Sequence, residues 1–167
     1  MRNLFLLLVA AAFAASVFQA DAQTTRATTS TEFQVTIDLT KTCNLVSASD
    51  ISFGTLEPVA SQPASTGTIR VTCSMGTPYS IGLGNGLHWD NTSRRMRHID
   101  QEALIPYTLS REAAGGAPWG DDEGQRQSGT GQGAGSPVEH TVHARATLTG
   151  NEPPGRYEDT VLATLSF

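Results

Sequence analysis

Thr31-Glu32-Phe33-Gln34-Val35-Thr36-Ile37-Asp38-Leu39 carries an apolar side chain at every second position, at Phe33, Val35, Ile37 and Leu39. An extended chain sends alternate side chains to opposite faces, so these four form a single row that must be buried somewhere. Nothing next to the segment in sequence offers a hairpin return. The row is therefore expected to pair with a distant strand of its own chain or with another molecule. The second alternative makes this an assembly protein.

What precedes the row sets the compartment. Arg2, the run from Leu4 to Phe18 (mostly Leu, Ala, Val and Phe) and Ala20-Asp21-Ala22 give a charged start, an apolar stretch and a small-x-small cleavage site. Residues 1–22 are read as a signal peptide cut after Ala22, because the apolar stretch is shorter than the ~20 residues of a spanning helix. The product is expected to be exported and soluble, with no membrane span after cleavage. The formal net charge is −5, and cleavage, which removes Arg2 and Asp21, leaves it unchanged. Lys41 is the only lysine and no basic tract is present, so the sequence argues against nucleic acid as a partner.

About 145 residues remain, enough for one domain with one core. Cys43 and Cys73, an even count in an exported chain, read as one structural disulfide. Closing a loop of about 30 residues contributes ~3 to 4 kcal/mol on the chain-entropy model.

Beyond Cys43, short β-rich runs alternate with Gly, Pro, Asn and Ser. Ile51 and Phe53 alternate ahead of Gly54. Ile69, Val71 and Cys73 alternate, as do Tyr79, Ile81 and Leu83, and Met75-Gly76-Thr77-Pro78 between them predicts a hairpin. Ile105, Tyr107 and Leu109 continue the pattern, with Pro106 pointing to a strand edge or a bulge. Val142, Ala144, Ala146 and Leu148 predict one face of a longer strand, and Val161, Ala163, Leu165 and Phe167 one face of the last. Residues 24–30 read as a flexible leader, 84–103 as an irregular connection and 115–136 as a long Gly-rich surface loop. Many short strands and no helical period predict an all-β sandwich or barrel.

Signals for chemistry are weak. Glu139, His140 and His143 suggest a metal, but on a strand His140 and His143 point to opposite faces and read as solvated edge residues. The glycines from Gly124 to Gly135 lack the lysine of a phosphate loop, and Asp121-Asp122-Glu123 lacks the Gly and distant Glu of a calcium loop. No Gly-x-Ser-x-Gly elbow is present. The reading is a non-enzyme without metal or cofactor. Arg94, Arg95 and Arg97, with Trp89 and Trp119 as stacking platforms, form a possible ligand surface for an anionic surface or a glycan; a solvated face for the arginines and a core or loop-anchoring role for the tryptophans is the stronger reading. Asn91-Thr92-Ser93 matches a glycosylation acceptor.

The order of these segments carries a resemblance. Cys43-Asn44-Leu45-Val46, Ile51-Ser52-Phe53-Gly54-Thr55-Leu56, Ile69-Arg70-Val71-Thr72-Cys73 and Thr77-Pro78-Tyr79-Ser80-Ile81-Gly82-Leu83 follow the alternating strand in turn. Arg95-Met96, Ile105-Pro106-Tyr107-Thr108-Leu109, Trp119-Gly120 and Pro154-Gly155-Arg156-Tyr157-Glu158-Asp159-Thr160-Val161 complete the series. Together they resemble the spore coat protein U domain family, which also supplies pilin subunits of archaic chaperone-usher pili.

The resemblance implies an immunoglobulin-like β-sandwich lacking its last strand, with residues 23–42 as leader and donor strand and 43–167 as the domain. It implies that Phe33, Val35, Ile37 and Leu39 fill a groove lined by Val161, Ala163, Leu165 and Phe167 of a neighbouring subunit. The implied partners are further subunits, a periplasmic chaperone and an outer-membrane usher, and the implied destination is a surface pilus reached through the periplasm. The rival reading is a secreted monomeric β-sandwich that binds a glycan or serves as a coat or matrix protein. In that rival, residues 31–39 return to their own groove.

Overall fold

A strand holds only where its backbone groups find partners, and that requirement sorts the period-two segments of this chain. The computed structural model describes residues 26–167. The signal peptide read over residues 1–22 lies outside the described residues. The chain divides into two units, Met1–Ile37 and Asp38–Phe167. Among the described residues of the first, no strand forms. The expected strand at 31–39 is therefore absent as a ladder, and its side chains face water.

The second unit is built from nine strands in two antiparallel sheets, the architecture of an immunoglobulin-like sandwich. They are β1 (Cys43–Ala48), β2 (Ala64–Cys73), β3 (Pro78–Leu83), β4 (Arg94–His98) and β5 (Leu104–Ser110), then β6 (Gln127–Thr130), β7 (Val138–Ala146), β8 (Tyr157–Glu158) and β9 (Ala163–Ser166). One sheet has the order β1-β2-β7-β5-β4-β8 and the other β6-β3-β9. No α-helix occurs among the described residues. A single 3₁₀ turn spans Glu123–Gln125, and no helix there is long and apolar enough to cross a membrane.

The alternating residues do form the core. Ile69, Val71 and Cys73 of β2, Tyr79, Ile81 and Leu83 of β3, Ile105, Tyr107 and Leu109 of β5, and Val142, Ala144 and Ala146 of β7 are all buried. Leu148 falls past the end of β7, in an isolated bridge to Ser61. Cys43 and Cys73 face each other across β1 and β2 and are joined by the disulfide.

The stretch Met75 to Pro78 does not close a hairpin: β2 lies in the six-stranded sheet and β3 in the three-stranded one, so this turn carries the chain between layers. Pro106 sits on an interior strand rather than an edge. Its carbonyl accepts from Thr147 N at 3.0 Å, so its missing N–H points to the place just past Ala146 where β7 has ended. The Gly-rich stretch 115–136 holds β6, and residues 94–98 of the supposed irregular connection form β4.

Gly131 explains part of that glycine content. Its N–H donates to Thr77 O at 2.8 Å and its carbonyl accepts from Gly76 N at 2.9 Å, so the segment after β6 packs flat on the corner between β2 and β3. A Cβ at Gly131 would collide with the Ser74 carbonyl oxygen and Cys73 Cβ, a backbone neighbour with little room to yield.

Trp119 joins the layers. It is 0% exposed, its indole N–H donates to Ile81 O of β3 at 2.9 Å, and its backbone N–H donates to Leu109 O of β5 at 2.9 Å. Beside it, His140 of β7 lies edge-on to the rings of Tyr79 and Trp119, with Nε2 2.8 Å from the Tyr79 hydroxyl. His140 is thus a half-buried interlayer contact, not a solvated edge residue.

Replacing Gly131 by Ala is expected to cost ~1 to 3 kcal/mol by overpacking, read as a lower denaturation midpoint. Burial pushes the His140 imidazole below its usual range, so the folded state resists a proton that the unfolded chain accepts near pH ~6.5. Stability is full above that pH and declines as the pH falls below it. Unfolding measured between pH 7 and 5 should show this slope reduced in His140→Gln.

Candidate functional site

A sheet ends where a strand has neighbours on one side only, and two such edges come together here. β9 hydrogen-bonds only to β3. β1 pairs only with β2, and it lies against β9. The ladder of β1 shifts register between Leu45 and Ser47, leaving Val46 as an extra residue that bends this edge. Each strand offers unpaired backbone groups along its free side, the template for an added strand.

The side chains beside these edges are incompletely covered. Val161, Ala163 and Leu165 pack on the core but stay half-exposed, whereas Tyr79, Ile81 and Leu83 on the adjoining strand are buried. Phe167 is 62% exposed. Ile51 and Phe53, which form no strand, pack half-buried on the same core. Leu45 and Val46 of β1 add exposed apolar surface. Sequence reasoning assigned no role to those two, because one apolar pair in a six-residue strand gives no period to read.

Within the first unit and its continuation, Phe33, Val35, Ile37 and Leu39 are 84, 86, 82 and 86% exposed. A row of four large apolar side chains so exposed is a surface without a cover.

The residues proposed from sequence as a ligand surface do not stay together. Trp119 is inside the core and Arg94 is buried, so neither is available to a ligand. Arg94 donates to Gly84 O at 2.9 Å, Leu83 O at 2.8 Å and Trp119 O at 3.1 Å, tying β4 to the opposite layer. Desolvation lowers its pKa, and nearby Tyr107 and Asp159 offset part of that. Arg95 and Arg97 do share the outer face of β4 and line a shallow pocket with Trp89. Both are neutralised, Arg95 by Asp90 at 3.3 Å and Arg97 by Glu102 at 2.6 Å.

Asp159, in the segment before β9, organises the loop that follows β3. Its side chain is 2% exposed. It accepts from Leu87 N at 2.9 Å, His88 Nδ1 at 3.2 Å and the Tyr107 hydroxyl at 2.7 Å. Burial and then the bond to this carboxylate push the Tyr107 phenol far above its usual range. Asp90 closes the end of the same loop by accepting from the Thr92 hydroxyl at 2.7 Å, Ser93 N at 2.7 Å and Thr92 N at 2.9 Å, which together hold its carboxyl well below the usual range. Among the described residues no three His, Cys, Asp or Glu side chains are grouped to hold a metal. On β7, Glu139 pairs with Arg70 at 3.2 Å.

Comparison with known proteins places this geometry. Residues 28–164 match the Spore Coat Protein U domain. Protein U of Myxococcus xanthus is 33% identical over 132 residues, which cover 70% of this chain and 71% of that protein. Among solved structures, the crystal structure of the CsuC-CsuE chaperone-tip adhesion subunit pre-assembly complex from archaic chaperone-usher Csu pili of Acinetobacter baumannii contains a similar chain. The two superpose with a TM-score of 0.59 at 23% identity over 77% of this chain. This chain spans about 40% of that one, and at this identity the likeness concerns the fold. The ordered motifs, the open-edged sandwich and the match over residues 28–164 agree: the chain belongs to the Spore Coat Protein U domain family.

Proposed function

We propose that this chain is an exported, pilin-like structural subunit that polymerises by donor-strand complementation. The observation that carries the reading is the exposed row Phe33, Val35, Ile37 and Leu39, matched by a sandwich whose β1 and β9 edges are unpaired on one side. Residues 23–42 serve as leader and donor, and 43–167 as the acceptor domain. The donor enters a neighbouring subunit along β9, where Val161, Ala163, Leu165 and Phe167 receive it.

Physical chemistry supports the exchange. Main-chain hydrogen bonds supply adhesion along the edge, and alternate side chains set the register. Burying four large apolar side chains contributes up to ~6 to 12 kcal/mol before ordering costs. Donor and acceptor surfaces differ, so the contact is head-to-tail and grows as an open filament. A free groove of this kind would aggregate before assembly, which calls for a periplasmic chaperone to cover it and an outer-membrane usher to order the exchange. The similar solved chain belongs to a complex of a chaperone with a tip adhesion subunit of a chaperone-usher pilus, which supports the same class of partners here. The final location is then the cell surface.

In the monomeric alternative the row returns to its own groove and the mature chain stays a monodisperse monomer. A coat or matrix role, in keeping with the family description, changes the location rather than the mechanism.

Deleting residues 23–39 should leave a folded, chaperone-bound domain that no longer polymerises, seen as loss of high-mass species in size-exclusion chromatography. Ile37→Asp should weaken the subunit contact by at least about tenfold, since one buried large apolar side chain is worth ~1.5 to 3 kcal/mol. Polymers of normal stability from the deleted chain would overturn the proposal.

A further inference from the structure

A polar cavity of about 500 Å³ opens at the end of the sandwich, lined by Gly84, Asn85, Trp89, Asp121, Asp122 and Gln125. Its size falls in the range of small-molecule sites. Its chemistry is unusual for a structural crevice. The Trp89 indole is 36% exposed and gives the cavity its aromatic wall. The side chains of Asn85, Asp122 and Gln125 have no hydrogen-bond partner among the described residues, so their amides and carboxylate are free to bond a ligand.

The walls are fixed before anything binds. The Trp89 loop is pinned through Leu87 N and His88 to buried Asp159, and Arg95 donates to His88 O at 3.2 Å. The opposite wall, Asp121 to Gln125, is held by Gly120 N donating to Gln125 O at 3.2 Å. Arg126 secures it further by donating to Asp121 O at 2.8 Å and pairing with the Asp121 carboxylate at 3.0 Å. A preformed cavity lowers the ordering cost of binding.

We infer that this cavity is a binding site for an uncharged saccharide. Trp89 stacks on the apolar face of a pyranose ring, and Asn85, Asp122 and Gln125 exchange hydrogen bonds with its hydroxyls, which act as donors and acceptors alike. Asp121 is neutralised by Arg126, whereas Asp122 keeps an unpaired negative charge, which disfavours acidic sugars. The site lies wholly within the domain Asp38–Phe167 and does not depend on whether the chain polymerises.

The test titrates the full-length mature chain with chitotriose, cellotriose and maltotriose, and with trigalacturonate as the acidic control, by calorimetry and tryptophan fluorescence. The chain has two tryptophans, and Trp119 is in the core, so a ligand-induced fluorescence change reports Trp89. Saturable binding of at least one neutral trisaccharide is expected, with trigalacturonate weaker. Trp89→Ala and Asp122→Ala should each reduce affinity at least about tenfold, with the fold checked by circular dichroism, while Glu139→Gln on β7, remote from the cavity, leaves it unchanged. Asp122 is exposed on a turn, so its variant keeps the test decisive should Trp89→Ala misfold. Absence of binding by all three neutral sugars, binding that survives Asp122→Ala, or preference for trigalacturonate overturns the inference.

Discussion

Two sheets stay together only if something crosses the gap between them, and here Trp119 makes that crossing. Its ring is fully buried, its indole N–H bonds Ile81 of the smaller sheet, and its backbone N–H bonds Leu109 of the larger. Arg94 repeats the connection one strand away, reaching from β4 to the carbonyls at the end of β3. A buried guanidinium is costly unless its donors are met. Here the carbonyls of Leu83, Gly84 and Trp119 meet them, with the Asp159 carboxylate close by to offset the charge. The loop after β3 inherits its shape from that same cluster through Asp159.

This interlayer tie also explains why the sandwich tolerates open edges. The core is anchored from β3, β5 and β7, so β9 needs only β3 to stay in place and keeps its other side unpaired. The half-exposed row of Val161, Ala163 and Leu165 is the outcome of such a layout. Elsewhere the sheet limits its exposure: β8 at the far edge is two residues long, and β6 is a short run of Gln, Ser, Gly and Thr. Short and polar edges discourage unwanted pairing.

Residues whose burial follows period two were legible in the sequence: Ile69 to Cys73, Tyr79 to Leu83, Ile105 to Leu109 and Val142 to Ala146 all face the core as their alternation requires. Strands without an apolar row were not. β4 reads Arg-Arg-Met-Arg-His, and charge hid a strand that pairing on both sides created. β6 has no apolar side chain at all. The turn at Met75 to Pro78 has hairpin chemistry, but local turn preference does not decide whether the next strand joins the same sheet or the facing one. Trp119 carries two readings from sequence, a core or loop-anchoring role and a stacking platform, because a single tryptophan in a Gly-rich stretch offers no period to decide between them. The free cavity beside Trp89 joins residues from 84 to 125 and exists only through tertiary placement.

The disulfide has a mechanical consequence. Cys43 is the first residue of β1 and lies opposite Cys73, the last of β2, four positions after Leu39. A pull on the leader would otherwise open the ladder of β1 one rung at a time from its loaded end. The covalent bridge diverts that tension at the first rung into β2, which is held on its other side along β7. The leader is in effect tethered to the interior of the sheet rather than to its rim.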